Sequence, residues 1–100
     1  MIDAAGGRGI THLIRRRVVV RGRVQGVFFR DNMRRLAAQR GVAGWARNRD
    51  DGAVEAMFEG APDDVEALVR FARGGPRGAS VERVEVTDEE PEGATGFAVG

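Results

Sequence analysis

Apolar positions along the chain recur with two alternating periods. Arg17-Val18-Val19-Val20-Arg21 is a β-branched run closed by Gly22 and predicts a strand. After a short loop, Phe29, Met33, Leu36 and Ala37 recur at helical spacing as far as Gly41, predicting a helix of about three turns. Val42 to Arg49 predicts a second strand, and Asp50-Asp51-Gly52 a hairpin turn in which glycine supplies a positive φ. From Ala53 to Glu59, Val54, Ala56 and Phe58 alternate with Glu55, Met57 and Glu59, giving a third strand with one apolar and one charged face. Pro62 suits a first helical turn, Asp63 and Asp64 suit its dipole, and Val65, Leu68, Val69 and Ala72 form its apolar stripe. Gly74-Gly75-Pro76 ends that helix. In a fourth strand Val81, Arg83 through its stem, Val84 and Val86 form the inward set against Glu82 and Glu85. Phe97-Ala98-Val99 offers a short terminal strand.

The order βαββαβ predicts an α+β ferredoxin-like sandwich. Its sheet has four to five mainly antiparallel strands, and both helices lie on one face. Residues 15–100 form this single domain. Residues 1–14, MIDAAGGRGITHLI, are Gly-rich and aperiodic and read as a disordered or loosely attached extension. His12 falls in it, which removes the chain's one histidine from the expected chemistry.

Composition narrows the chemistry further. Without cysteine there is no disulfide, thiol nucleophile or Cys-based zinc site, and no apolar run approaches the ~20 residues of a membrane span. The one serine, Ser80, has no candidate base nearby in sequence, and the carboxylates are spread as pairs such as Asp63-Asp64 and Glu89-Glu90. Covalent and metal catalysis are both disfavoured. Net charge is only +1, yet residues 1–50 hold 12 Arg against 3 Asp, and residues 51–100 hold 4 Arg against 4 Asp and 8 Glu. The halves therefore carry +9 and −8. They are expected to pair across strands and helices, with excess positive potential near one loop. All 16 cations are arginine, which the excess of Gly, Ala and Val attributes to a GC-rich genome rather than to function.

That loop is Gly22-Arg23-Val24-Gln25-Gly26-Val27-Phe28-Phe29-Arg30, which runs into a helix N-terminus. Successive backbone N–H groups there, with the positive end of the helix and the Arg30 guanidinium, can cradle a tetrahedral oxyanion. The Gly-Lys-Ser/Thr ending of a nucleotide-binding loop is absent. Read from spacing alone, the segment fits a plain glycine turn with a surface arginine equally well. Phe28 and Phe29 are expected in the core.

The run Gly22 to Arg30 resembles the acylphosphatase signature Gly-x-Val-Gln-Gly-Val-x-[Phe/Tyr]-Arg at every fixed position. A second run, Gly44-Trp45-Ala46-Arg47-Asn48-Arg49-Asp50-Asp51-Gly52-Ala53-Val54-Glu55, resembles Gly-[Tyr/Trp]-[aliphatic]-x-Asn-x-x-[Asp/Asn]-Gly-x-Val-Glu. The likeness spans Arg15 to Val99. It implies metal-independent hydrolysis of acyl phosphates to carboxylate and inorganic phosphate, without a covalent phosphoenzyme or a cofactor. Carried over, Arg30 binds the phosphoryl group and Asn48 positions the attacking water. Backbone N–H groups of Arg23, Val24, Gln25, Gly26 and Val27 hold phosphoryl oxygens. Met33 stands where the family often has threonine or another small residue, and the chain ends Val99-Gly100 where many members end in a basic or aromatic residue. Trp45 is expected to serve sheet packing rather than substrate contact. Because the first and second strands of this fold are separated by the third, a loop must bridge them to bring Arg30 and Asn48 together. The expected partner is a small acyl phosphate, with a monomeric chain in the cytoplasm and no nucleic acid or membrane.

The alternative is a non-enzymatic RNA-binding or regulatory module on the same fold. Base stacking on an RNA-binding sheet needs aromatics on its central strands. The third strand offers only Phe58, on its inward face, and the outer face carries Glu55 and Glu59, which repel phosphate. A non-enzymatic domain opening a hydrogenase maturation protein is disfavoured by the lack of the Cys-rich zinc modules that follow it there.

Overall fold

The computed structural model describes residues 12–100. Most of the segment read as an extension, residues 1–11, lies outside the described residues. β1 (Ile14–Arg23) is followed by α1 (Phe29–Arg40), β2 (Ala43–Asn48), β3 (Val54–Gly60), α2 (Pro62–Gly74), β4 (Ser80–Glu89) and β5 (Phe97–Val99). β1 thus begins at the last residue of that segment, and Ile14 packs partly buried against the core. The strand outruns the Val18–Val20 centre because its arginines gain partners on both sides. Arg15 lies opposite Glu59 on β3 and Glu89 on β4.

The five strands are ordered β4-β1-β3-β2-β5, antiparallel except for the parallel pairing of β5 with β2. Both helices cover one face. Phe29, Met33 and Ala37 of α1 and Val65, Leu68 and Ala72 of α2 share a single cluster with Val18, Val20, Ala46, Val54, Ala56 and Phe58 of the sheet. Met33 is fully buried in this cluster. Phe58 stacks on Phe97 with ring centroids 6.2 Å apart, and Phe29 meets Phe71 edge-on at 5.6 Å.

Two departures from the sequence pattern follow from how the strands pair. The inward set of β4 is Val81, Val84 and Val86 without Arg83, whose side chain is largely exposed. The register slips between Arg21 and Gly22, where Arg21 opposes Arg83 but Gly22 opposes Val81. The extra residue, Glu82, is a β-bulge that resets the alternation. The charged face of β3 is not solvated either: Glu55, Met57 and Glu59 are all buried. β3 is the central strand, and arginines from β1 and β2 lie across it.

The two charged halves meet there. Glu55 pairs with Arg17 at 2.6 Å and Arg47 at 2.7 Å. Glu59 takes Arg15 at 2.8 Å and the N–H groups of Glu92, Gly93 and Ala94 at 2.7–3.0 Å, which fastens the acidic loop before β5. Arg21 reaches Asp51 and Glu85, and Arg16 pairs with Asp88 and with Glu66 of α2.

Candidate active site

β1 passes into the loop through Gly22, whose φ of +130° and close approach to β4 exclude a side chain. A Cβ there would overlap the Ser80 carbonyl oxygen and lie 2.8 Å from the Glu82 nitrogen. Arg23 is the last strand residue, paired with Ser80 and exposed. Val24 then drops into the core, anchoring the loop. Gly26 turns the chain with a φ of +77°, and nothing crowds it.

Phe28 turns it again at φ 59°, the only non-glycine positive φ among the described residues. It is the N-cap of α1 and supplies no capping side chain. The N-terminal N–H groups of the helix therefore lack a side-chain acceptor. Phe29 is buried as expected, but Phe28 is 77% exposed, which corrects its core assignment. Its carbonyl instead receives both the backbone N–H and the side-chain amide of Asn32, at 3.0 and 2.9 Å.

Asn48 arrives from β2. Ala46 is buried on the helix-covered face of the sheet, so by the period of two Asn48 shares that face while Arg47 turns away to Glu55. β3 separates β2 from β1, as the topology requires. The gap is closed by the Gln25 side chain, whose amide nitrogen donates to the carbonyls of Arg49 at 2.8 Å and Ala53 at 2.9 Å. That ties the loop to the β2–β3 turn.

The outcome is a cleft of about 250 Å³ lined by Val24, Gly26, Phe28, Phe29, Arg30, Asp31, Asn48 and Val99. Of the residues named from the sequence, it brings together Val24, Gly26, Arg30 and Asn48. Arg23, Gln25 and Val27 do not line it; Gln25 acts as the tie just described, and Val27 packs on the core beside Gly78. Trp45 is half-buried on the opposite face of the sheet, with the Arg47 guanidinium 5.4 Å from its ring. His12 is exposed before β1 and takes no part in the cleft.

Three lining residues had no sequence signal for this role. Val99 arrives only because β5 pairs in parallel with β2, a contact between distant segments. Phe28 lies at the motif's variable position. Asp31, in the first turn of α1, faces the cleft but is held by Arg34 at 2.7 Å and Arg35 at 3.1 Å. The Arg34 hydrogen bond keeps its carboxyl below the ordinary aspartate value, so its charge is met locally. Arg30 donates to the Gly100 main-chain oxygen, which orients the guanidinium through one of its five N–H groups. Among the described residues, no three His, Cys, Asp or Glu side chains gather as a metal site.

A helix N-terminus, an arginine and an asparagine amide around a small cleft suit a tetrahedral anion and a water held beside it. Comparison with known proteins agrees in kind. A family model described as Acylphosphatase matches residues 16–99. An acylphosphatase of Thermococcus kodakarensis is 55% identical over 86 residues, covering 86% of this chain and 94% of that protein. One of Haloarcula marismortui is 54% identical over 85 residues, covering 85% and 93%. The crystal structure of acylphosphatase from Bacillus subtilis superposes with a TM-score of 0.83 at 36% identity, covering 87% of this chain and 98% of that one.

Proposed function

The chain belongs to the acylphosphatase family and hydrolyses acyl phosphates, and we propose that it does so with the phosphoryl group held between Arg30 and the loop into α1, attacked by a water that Asn48 orients. The observation that carries this reading is the single cleft that Arg30, Gly26 and Asn48 line together.

In this reading the non-bridging phosphoryl oxygens accept hydrogen bonds from the Arg30 guanidinium and from backbone N–H groups of the loop between Arg23 and Val27, of which Val24 and Gly26 line the cleft, beside the positive end of α1. The Asn48 amide oxygen accepts a hydrogen bond from the water, turning a lone pair toward phosphorus. As the water oxygen bonds to phosphorus, the bridging P–O bond breaks and its electron pair leaves with the carboxylate. The water's proton passes to a phosphoryl oxygen, yielding carboxylate and inorganic phosphate. Asparagine is no base at neutral pH, and a carboxylate is a good leaving group, so positioning and charge stabilisation carry the rate. We expect no metal or cofactor in this step.

The alternative of an RNA-binding sheet lacks support in the geometry. Its outer face is an arginine–glutamate lattice over β3, with Trp45 its one aromatic among the described strands. No described helix is long and apolar enough to cross a membrane. A monomeric cytoplasmic enzyme acting on a small soluble substrate is the form we propose. Phosphate release from acetyl phosphate in the presence of EDTA tests the reading: the wild type turns over, and Arg30→Ala and Asn48→Ala each lose about 10²-fold or more. Equal rates in all three would reject the residue assignment, and loss of activity with EDTA would reject metal independence.

A further inference from the structure

We infer that Phe28 is the acyl-binding platform of this enzyme and that it selects acyl phosphates with aromatic or bulky apolar acyl groups over acetyl phosphate, a reading that rests on the phosphoryl site proposed above. Phe28 is doubly unfavourable to the fold. Its left-handed backbone would be met at no steric cost by glycine, and its side chain is 77% exposed. A strained, exposed aromatic returns nothing to the core, and such outliers concentrate at ligand sites. The strain is also held in place, because Asn32 donates twice to the Phe28 carbonyl.

The position of the ring gives it a use. Phe28 lines the same cleft as Arg30 and Asn48, and Val99, 40% exposed, lines it too. The cleft's lining therefore offers polar groups, at Arg30, Asp31, Asn48 and the backbone of Gly26, and apolar ones, at Phe28, Phe29, Val24 and Val99, of which Phe28 and Val99 are exposed. An acyl phosphate joins the same two kinds of group in one small molecule. With the phosphoryl group at Arg30 and Gly26, an acyl substituent turned toward Phe28 meets apolar surface. An aromatic acyl group then removes its own surface and that of Phe28 from water, whereas acetyl covers little of either.

The test is the ratio of kcat/KM for benzoyl phosphate to that for acetyl phosphate. Phe28→Gly and Phe28→Asn, both compatible with a left-handed backbone, should lower the ratio about ten-fold, a typical effect for apolar contact in a pocket, while Phe28→Tyr keeps it. Leu13→Ala, another exposed apolar side chain but at the far end of β1, leaves the ratio unchanged. A second measurement needs no variant: across acetyl, butyryl and benzoyl phosphate the wild-type kcat/KM rises with apolar area. A ratio that Phe28→Gly and Phe28→Asn leave within two-fold of wild type, or a flat wild-type series, overturns the platform while leaving hydrolysis intact. Absence of turnover with every substrate overturns the phosphoryl site itself and the platform with it.

Discussion

The Gln25 amide nitrogen lies 2.8 Å from the Arg49 carbonyl oxygen, a bond that crosses the end of β3 and joins two segments the sheet order keeps apart. One segment leads to Arg30 and the other follows Asn48 directly. Beyond the ladders that β1 and β2 each form with β3, the two are thus tied directly by one side chain, which also bonds the Ala53 carbonyl at 2.9 Å.

Gln25→Ala therefore separates positioning from folding. Both carbonyls keep a second donor, since Gly52 N–H reaches the Arg49 oxygen at 3.2 Å and Arg49 N–H reaches the Ala53 oxygen at 2.8 Å. Stability should fall by only about 1 kcal/mol, the net worth of such a bond. The kcat should fall roughly ten-fold or more, because small displacements between reacting groups are costly. Gln25→Glu, which keeps the shape but loses the donor, should be at least as impaired. Thermal melting and steady-state kinetics on the same samples check this; a Tm loss without a kcat loss would make Gln25 merely structural.

Arg30 and Asn48 should fail in different kinetic terms. Arg30→Lys keeps a positive charge but replaces a planar fork by a point charge, so kcat/KM should drop about 10²-fold. In the proposed role, Asn48 contacts the attacking water rather than the phosphoryl group, so Asn48→Ala should lower kcat while KM shifts less than about three-fold. Steady-state kinetics with acetyl phosphate decide it, and a change confined to KM for Asn48→Ala would contradict the water-positioning role.

The fold was largely legible because its signals are local. Val18–Val20, the Val65/Leu68/Val69/Ala72 stripe and the Asp50-Asp51-Gly52 turn each report on their own segment. Arg30 and Asn48 were legible for a different reason, the unbroken motifs around them. What stayed hidden depends on partners distant in sequence. Glu55 and Glu59 alternate like a solvated face and are buried only because Arg15, Arg17 and Arg47 and the backbone of residues 92–94 cover them. Arg83 left the inward set because a bulge opposite Gly22 altered the count. Val99 reached the cleft through a parallel pairing that no periodicity encodes.

Gly22 and Gly26 look alike in the motif and should differ sharply on substitution. Gly26→Ala meets nothing within 4 Å and pays only for its φ of +77°, about 1–2 kcal/mol. Gly22→Ala drives a Cβ into β4 backbone at Ser80 and Glu82, which cannot yield without breaking the ladder. Its cost should exceed ~3 kcal/mol, at the severe end for single substitutions. Urea denaturation of both variants measures the difference, and equal midpoints would refute it.

Acid should unfold the protein through the buried carboxylates of β3. Burial alone would raise the Glu59 pKa, but the Glu92 N–H, Arg15, and the N–H groups of Gly93 and Ala94 outweigh it and hold the carboxyl below its ordinary value of 4.5. For Glu55, burial is likewise overcome, by Arg47 and Arg17. A depressed carboxylate pKa means that the unfolded chain binds protons more readily than the folded one. The stabilisation is therefore fully present above pH 4.5 and is lost as pH falls from there through the lower folded values. Tm should be flat from pH 7 down to about 5 and fall steeply below it. Glu59→Gln removes one titrating group, so its Tm should be lower at pH 7 and the gap to the wild type should narrow as pH falls below 4.5. The neutral-pH loss should be about 1.5–3 kcal/mol, the worth of a hydrogen bond to a charged group, because Arg15, 8% exposed, loses its closest carboxylate and keeps only the longer contacts to Glu89 at 3.7 Å and Glu92 at 3.5 Å. Calorimetry of both proteins from pH 3 to 7 measures the two curves; a constant gap between them would show that Glu59 stabilises the fold by shape and hydrogen bonding and not through its charge.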